Sequence, residues 1–268
     1  MTSLANKWVL ITGASSGFGA AAARAFGAQG ARLLLGARRQ ERLQEVAAQA
    51  RQAGAPEAHA HALDVSRTAS VAAFVAWCRE QIEPREPARA RLDVLINNAG
   101  GALGLDYVAQ ARDEDLEGMM QTNVLGLLRM TRAALPLLRE HAGSSIINIG
   151  SLAGRVAYEG GAAYCAAKAG ELQISRALRL ELSGTGIRVS SVDPGMAETE
   201  FSMVRFKGDA ARARQVYEGT QPLVAEDVAE ILVWVASRPA HVNIDELLVK
   251  PVDQAAIHKI YRRKPGRI

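Results

Sequence analysis

The stretch WVLITGASSGFG, residues 8–19, decides the fold of this chain. It opens with a short apolar run typical of a buried strand and passes into a turn that contains Gly13, Gly17 and Gly19. Glycines between a strand and a helix let the backbone approach a pyrophosphate, which then meets amide N–H groups and the positive end of the helix. A tight strand–helix connection without a ligand also favours glycine. The place of this turn in the first β-α-β unit favours a dinucleotide site.

Outward from this stretch, short buried-strand patterns alternate with longer amphipathic helical patterns along most of the chain. Such alternation predicts an α/β fold, a Rossmann-like doubly wound parallel sheet of about seven strands with helices on both faces. Pro84 and Pro87 make residues 83–91 typical of a polar surface insertion. Strands are predicted at residues 8–12, 32–36, 58–63, 92–97, 145–149, 187–192 and 246–249, and helices at 18–29, 41–53, 70–82, 115–141, 162–183 and 225–237.

Length and charge constrain the organisation of the chain. With 268 residues, 49% of them hydrophobic, the chain can bury a substantial core, and we expect a single domain over residues 1–268. Its cofactor half should cover about residues 1–150, its catalytic and substrate half about 151–252, and a basic tail about 253–268. Because Lys and Arg are scattered among Asp and Glu through most of the chain, and Tyr261 is the single aromatic residue within the basic cluster, we expect a solvated tail and no nucleic-acid partner. The basic residues of this tail are Lys259, Arg262, Arg263, Lys264 and Arg267.

Cysteine usage and hydropathy indicate the compartment. Cys78 and Cys165 are the only cysteines, and neither a CxxC pair nor a His/Cys cluster at metal-ligand spacing occurs. We therefore expect no disulfide framework and no metal. The sequence lacks a signal-peptide pattern and any apolar run of about 18 residues, so we expect a cytoplasmic protein without a membrane partner.

The end of the second predicted strand indicates which dinucleotide is bound. Folds that bind NAD normally place an acidic residue here, on the adenosine ribose hydroxyls. This chain instead has Arg38 and Arg39. Two guanidinium groups at this position favour a 2′-phosphate and therefore NADP, although a basic start to a surface helix is the alternative explanation. The hydroxyls of Ser15 and Ser16 could add contacts to that phosphate.

Further motifs follow the glycine turn in a characteristic order, namely Asp64-Val65, Asn97-Asn98-Ala99-Gly100, Asn123, Ser151, Tyr164-Cys165-Ala166-Ala167-Lys168 and Pro194-Gly195. In their joint order and spacing, these motifs resemble those of the short-chain dehydrogenase/reductase family over about residues 7–252. The resemblance implies that Asp64 touches the adenine, that Val65 packs on it, and that the segment after the fourth strand lines the cofactor cleft. It also implies that Thr199 contacts the nicotinamide carboxamide. The cofactor residues expected on these grounds are Gly13, Ser15, Ser16, Gly17, Phe18, Gly19, Arg38, Arg39, Asp64, Val65, Asn97, Ala99, Gly100, Tyr164, Lys168, Pro194, Gly195 and Thr199.

Tyr164 and Lys168 are the expected centre of the chemistry, because residues four apart on a helix project to the same face. A phenol with a pKa near 10 is a poor base at neutral pH, but a nearby ammonium and a positive nicotinamide would stabilise the phenolate. The family resemblance assigns Ser151 to the substrate oxygen and Asn123 to a water that links the lysine to solvent. The expected catalytic set is Ser151, Tyr164, Lys168 and Asn123, which moves a proton while the nicotinamide moves a hydride, with no metal.

The segment after Pro194 and Gly195 is expected to cover the active site. Its Thr-Glu-Phe-Ser and Val-Arg-Phe-Lys-Gly-Asp strings resemble the branch of NADP-dependent 3-hydroxy acid dehydrogenases that act on serine, allo-threonine and related acids, or reduce malonic semialdehyde. A small acid needs a cationic partner, and Arg205 is the first candidate, although a surface or subunit contact would also explain it. Lys207 and Arg155 are the second and third candidates.

Other functions remain open at the level of the sequence. One is a broad carbonyl or 3-oxoacyl reductase of the same family, which would prefer bulky neutral ketones. Another is a catalytically silent dinucleotide sensor, against which the intact Ser151, Tyr164 and Lys168 argue. The family resemblance further implies a homotetramer.

Overall fold

The computed structural model describes residues 2–82, 91–138 and 143–263. Its centre is a seven-stranded parallel sheet in the order β3-β2-β1-β4-β5-β6-β7. The expected doubly wound sheet is therefore confirmed, and its order reverses between β1 and β4, where a crevice forms at the carboxyl ends of the strands. The strands are β1 Trp8–Thr12, β2 Arg32–Ala37, β3 Ala58–Ala62, β4 Val94–Asn97, β5 Ser145–Ile149, β6 Arg188–Pro194 and β7 Glu246–Val249.

Helices cover both faces of this sheet. On one face α1 packs between α2 and α9, and on the other α3 packs against α5 while α6 lies along β6. The fully or nearly buried alanines of α1 at positions 20–23 let its backbone lie close to both neighbours. The α-helices are α1 Gly17–Ala28, α2 Gln40–Ala53, α3 Thr68–Ile82, α4 Asp113–Met119, α5 Gly126–Leu138, α6 Ala162–Glu181, α7 Phe201–Arg205, α8 Ala210–Gln215 and α9 Ala225–Ala236.

The long helix predicted at residues 115–141 is wrong in one respect, because it is not one regular α-helix. A π-helical segment, Met120–Leu125, separates α4 from α5. The side-chain amide of Asn123 donates to Met119 O at 2.7 Å and to Gly101 O at 3.0 Å. These bonds hold a widened turn at the point where the helix passes the active-site end of the sheet. Residues 139–141 of the predicted helix lie outside the described part of the chain.

The C-terminal region is folded onto the rest of the protein, although its described basic residues, Lys259, Arg262 and Arg263, are exposed as a solvated tail requires. Strands β8 Gln254–Ala256 and β9 Lys259–Ile260 form a small antiparallel pair. Arg263 pairs with Asp253, and Arg262 donates to the carbonyl oxygens of Glu218 and Val216. Lys264 and Arg267 lie outside the described residues, as does most of the predicted insertion at 83–91. In the ranges that the structure describes, no helix is both long and apolar enough to cross a membrane.

Candidate active site

The predicted site residues converge at the carboxyl ends of β1, β4, β5 and β6, on either side of the point where the strand order reverses. Thr12 ends β1 and leads into the glycine turn, and Asn97 ends β4. Ser151 follows β5 and caps a short 3₁₀ turn, Leu152–Gly154, where its Oγ accepts from Ala153 N at 3.1 Å. Parallel strands place all of these ends at one edge of the sheet, so residues far apart in sequence share one cleft.

The glycine turn is fastened to the segment that follows β4. Gly13 and Gly17 have φ values of 66° and 52°, the left-handed region that favours glycine. A Cβ on Gly13 would lie 2.9 Å from Ala99 Cα, so the two backbones approach more closely than any side chain allows. Asn98 Nδ2 donates to the carbonyl oxygens of Thr12 and Gly13 at 2.9 and 3.2 Å. Asn98 is absent from the predicted cofactor set, although it belongs to the Asn-Asn-Ala-Gly segment at residues 97–100, which the family resemblance implies supports the sheet.

Arg39 lies beside both serine hydroxyls of the turn. Its guanidinium donates to Ser16 Oγ at 2.6 Å and to Ser15 Oγ at 3.3 Å. It also pairs with Glu200 at 2.8 Å, and Arg42 holds the other oxygen of the same carboxylate at 2.6 Å. Burial raises the pKa of Glu200, but its bonds to Arg39 and the charges of Arg39 and Arg42 outweigh that effect and lower it. The two guanidinium groups thus bind the carboxylate of Glu200, and a 2′-phosphate needs donors of the same kind.

Other predicted cofactor residues surround this anion site. A cleft of about 560 Å³ runs past Ser15, Ser16, Gly17 and Thr199. A Cβ on Gly17 would lie 3.6 Å from Thr199 Cβ. Thr199, which is predicted to contact the nicotinamide carboxamide, therefore lies directly against the glycine turn. The residues present therefore fit a dinucleotide with a 2′-phosphate.

The remaining predicted cofactor residues differ in their surroundings. Burial raises the pKa of Asp64, but hydrogen bonds from Ser66 and the charge of Arg38 outweigh it, so the pKa is lowered. The carboxylate is therefore held charged. Asn97 is buried and donates its amide to Thr131 Oγ1 at 3.0 Å and to Asn148 Oδ1 at 2.9 Å, which joins neighbouring elements. Val65 is also buried, and Phe18 is partly buried against the apolar cluster around α1.

Tyr164 and Lys168 share one buried face of α6, as their spacing predicts. Burial raises the pKa of Tyr164, whereas the charge of Lys168 and a hydrogen bond with Ser151 lower it, and the net direction is upward. The charge of Lys168 therefore lowers the pKa of Tyr164, as expected. In the protein alone, however, its charge is outweighed by the loss of solvent around the phenol.

Lys168 itself is fixed by two bonds. Its ammonium donates to Ile149 O at 2.9 Å and to Glu171 Oε2 at 2.6 Å. Burial lowers the pKa of Lys168, but the negative charge of Glu171 outweighs that effect and the pKa is raised. Glu171 was not among the predicted residues. Its position three residues after Lys168 on the same helix is the signal that could have found it.

Asn123 lies in the π-helical segment and is fully buried beside the cleft. Its Oδ1 accepts from Gly101 N at 3.0 Å. A Cβ placed on Gly100 would lie 2.6 Å from this oxygen and 3.5 Å from Lys168 Nζ. Asn123 and the lysine thus border the same small space, which only a glycine at position 100 leaves open.

Of the three basic candidates for the substrate anion, only Arg205 faces Tyr164. Its guanidinium lies 5.9 Å from the centre of the Tyr164 ring and 5.3 Å from that of Tyr158. It donates to Tyr158 Oη and to Gly104 O, each at 2.9 Å. Tyr164 and Arg205 also line one small pocket.

The second and third candidates are bound to carboxylates elsewhere. Lys207 pairs with Asp115 at 2.6 Å. Arg155 lies between Asp193, at 2.5 Å, and Glu246, at 2.6 Å. Within the described ranges, no group of acidic, histidine and cysteine side chains could hold a metal.

Comparison with known proteins agrees with this geometry. The family model described as short chain dehydrogenase matches residues 7–210. An NADP-dependent 3-hydroxy acid dehydrogenase of Schizosaccharomyces pombe is 40% identical over 98% of this chain and 100% of its own. Sulfoacetaldehyde reductase 2 of Chromohalobacter salexigens is 45% identical over 92% of this chain and 95% of its own.

A solved structure, the closed form of serine dehydrogenase complexed with NADP+, superimposes with a TM-score of 0.84. It is 41% identical and covers 96% of this chain and 100% of its own. The chain belongs to the short-chain dehydrogenase family.

Proposed function

We propose that this protein is an NADP-dependent oxidoreductase that interconverts an alcohol and a carbonyl in a small anionic substrate. The substrate class is a 3-hydroxy acid such as serine, allo-threonine or 3-hydroxypropionate, or the corresponding aldehyde acid, malonic semialdehyde. The observation that carries the proposal is the position of Arg205, whose cation lies beside the ring of Tyr164 while Ser151 holds the phenol of that tyrosine.

The proposed reaction divides the labour between cofactor and protein. NADP(H), when bound, accepts or supplies the hydride. In the oxidation direction Tyr164 takes the alcohol proton, and in reduction it gives a proton to the carbonyl oxygen. Ser151 hydrogen-bonds the same oxygen and polarises it. Lys168 stabilises the phenolate through its charge, and Asn123 borders the space through which a water can exchange protons with the lysine.

The anion site around Arg39 supports the choice of NADP over NAD. Gly13, Gly17 and Gly19 would hold the pyrophosphate, and Arg39 with Ser16 would hold the 2′-phosphate. Two relatives are named for NADP, the dehydrogenase of Schizosaccharomyces pombe and the serine dehydrogenase complex.

The similarity to sulfoacetaldehyde reductase 2 favours a second candidate substrate. A sulfonate and a carboxylate are both compact anions that a guanidinium binds through paired N–H groups. Arg205 can therefore serve either substrate, and the shared chemistry is a two- to four-carbon alcohol or carbonyl compound with a terminal anion.

The test is a set of initial rates with the purified protein. The substrates are L-serine, allo-threonine and 3-hydroxypropionate with NADP+ or NAD+, and malonic semialdehyde, sulfoacetaldehyde and neutral ketones with NADPH. Tyr164→Phe should lower kcat at least about 10³-fold, because it removes the proton donor. Tyr107→Phe makes the same chemical change at an exposed position and should keep wild-type rates.

Arg205→Met separates the substrate proposal from the mechanism. It should raise KM for anionic substrates roughly 10- to 100-fold and change KM for neutral ketones little, because only the former lose a charged hydrogen-bond partner. Activity restricted to neutral ketones would move the assignment to a broad carbonyl reductase. Binding of NADP+ without turnover of any substrate would favour a dinucleotide sensor.

We further propose a cytoplasmic homotetramer. Apolar side chains at Leu125, Leu128 and Leu180 are exposed on the π-helical segment, α5 and α6, which suits helix pairing between subunits. The free, buried thiols of Cys78 and Cys165 suit a reducing compartment. Light scattering after size exclusion should give about four times the 28.6 kDa chain mass, and a monomer would contradict the assembly.

A further inference from the structure

Glu171 is a buried carboxylic acid to which the proposed reaction gives no role. It lies on the face of α6 that carries Tyr164 and Lys168, with 3% of its surface exposed. Burying a carboxylate is costly unless a cation compensates it, and apolar residues would fill the position more cheaply. Within the described residues, Glu171 forms an ion pair with one partner, which must explain its position.

That partner is the ammonium of Lys168. An ammonium has three N–H donors, and the protein engages two of them, one with Glu171 Oε2 at 2.6 Å and one with Ile149 O at 2.9 Å. Bonds from a helix on one side and a strand on the other fix the ammonium in space. The remaining donor is left for the cleft, where Gly100 opens the space between Asn123 and the lysine.

Glu171 also acts on Tyr164 through its charge. The positive charges that lower the pKa of Tyr164 belong to Lys168 on α6 and Arg205 on α7, and the negative charge of Glu171 opposes them. From β6 the carboxylate of Asp193 acts on both Lys168 and Glu171, although it is itself paired with Arg155. The guanidinium of Arg205 donates a hydrogen bond to Tyr158 and also lies over the ring of Tyr164, so its positive charge acts on both tyrosines.

We propose that Glu171 is a positioning residue that anchors Lys168 and weakens the positive field at Tyr164, so that the phenol keeps its proton over a wider pH range. This inference rests on the proposed function, in which Tyr164 exchanges the proton. Carbonyl reduction needs the protonated phenol, so Glu171 extends the pH range of reduction toward alkaline pH. Alcohol oxidation needs the phenolate, so Glu171 restricts oxidation to alkaline pH. Lys168 remains the residue that acts directly on the phenol of Tyr164, and Glu171 acts through Lys168, by anchoring it and offsetting its charge.

The ionisation of Glu171 adds a threshold to this effect. Burial raises the pKa of Glu171 to about 7, against the lowering effect of the Lys168 charge. Below that pH the group is neutral and leaves the full charge of Lys168 acting on the phenol. Above it the carboxylate partly cancels that charge, so the influence of Glu171 is confined to neutral and alkaline solution.

The experiment is the pH dependence of kcat/KM in both directions, for wild type and Glu171→Gln, with the substrate identified in the assays above. Glutamine keeps a hydrogen-bond acceptor for Lys168 but carries no charge. We expect the acid limb of oxidation and the alkaline limb of reduction both to move about one unit toward lower pH. Glu171→Asp, which keeps the charge, should stay closer to wild type. Glu181→Gln, an exposed change on the same helix, should leave the profile unchanged.

Two further measurements keep the proposal open to refutation. If Glu171→Gln does not fold, Glu171→Met supplies a neutral side chain of similar volume and should give the same shift. If wild type turns over no substrate, the proposed function fails independently. Phenolate absorbance, taken as wild type minus Tyr164→Phe, can still be titrated with and without Glu171→Gln. Unchanged limbs and titration, or a shift toward higher pH, would overturn the role of Glu171.

Discussion

Arg39 joins three groups that are far apart in sequence, namely the two hydroxyls of the glycine turn and the carboxylate of Glu200. We expect Arg39→Leu to raise KM for NADP+ roughly 10- to 100-fold and to change KM for NAD+ little, because charged hydrogen bonds to the 2′-phosphate are lost. Steady-state kinetics with NADP+ and with NAD+ measure the ratio of the two KM values. Arg24→Leu removes a charge from the same cleft but not from the serine hydroxyls, and serves as control. Equal losses for NADP+ and NAD+ would contradict the assignment.

Glu200 occupies the guanidinium groups that a 2′-phosphate would use. Removing its charge by Glu200→Gln should tighten NADP+ binding roughly two- to fivefold, the range expected for losing exposed ion pairs that compete with the ligand. Calorimetric titration with NADP+ and NAD+ tests this, since only NADP+ carries the competing phosphate. Glu198→Gln changes a neighbouring carboxylate of the cleft and should have no such effect. Weaker NADP+ binding would show that Glu200 supports the site instead of competing for it.

At the scale of elements, one carboxylate fastens the edge strand β7 to α6. Glu246 accepts from Arg176 at 2.7 Å and from Arg155 at 2.6 Å. The hydrogen bonds of Arg176 are the largest cause of a lowered pKa, which burial opposes, and the pKa falls to about 2. Because this is lower than in the unfolded chain, the carboxylate stabilises the fold above about pH 4.3 and loses that effect as pH falls toward 2.

Glu246→Gln should therefore lower the unfolding temperature at pH 7 and have progressively less effect toward pH 2. Thermal unfolding followed by circular dichroism from pH 2 to 7 measures the difference between variant and wild type. Glu114→Gln removes one partner of an exposed pair with Arg112 and should change little at any pH. A constant difference across this range would mean that packing, and not charge, holds β7.

At the scale of the whole molecule, the C-terminal hairpin closes over the segment that follows β6. Gln254 Oε1 accepts from Met196 N at 2.7 Å, and Asp253 accepts from Gln221 N at 2.7 Å while it pairs with Arg263. Truncation before Gln254 should lower the unfolding temperature by roughly 5 °C, because the partly buried N–H of Met196 loses its partner and Asp253 loses its cation. Calorimetry measures this, and truncation after Arg263, which retains these contacts, is the control. Equal stability of the two truncations would refute it.

Much of this architecture follows from local pattern. Apolar runs alternating with helical periods predict the parallel sheet, since a strand or helix of such composition must bury one face wherever it lies. The glycine turn after β1 needs left-handed backbone at Gly13 and Gly17, which the sequence itself signals. Tyr164 and Lys168 share a face through helix geometry alone. The π-helical segment escaped prediction, because one widened turn leaves the apolar period of the helix almost unchanged.

What the sequence by itself determined was therefore the fold class, the glycine turn, and the tyrosine–lysine pair, because each depends on residues within one turn or one helix. The tertiary structure alone decided which basic groups reach the site. Arg205 reaches Tyr164, while Arg155 is held by Asp193 and Glu246. It also brought Glu200 to Arg39 and buried Glu171 against Lys168. The physical reason is that burial and the pairing of charges depend on elements that meet only when the sheet and its helices are assembled.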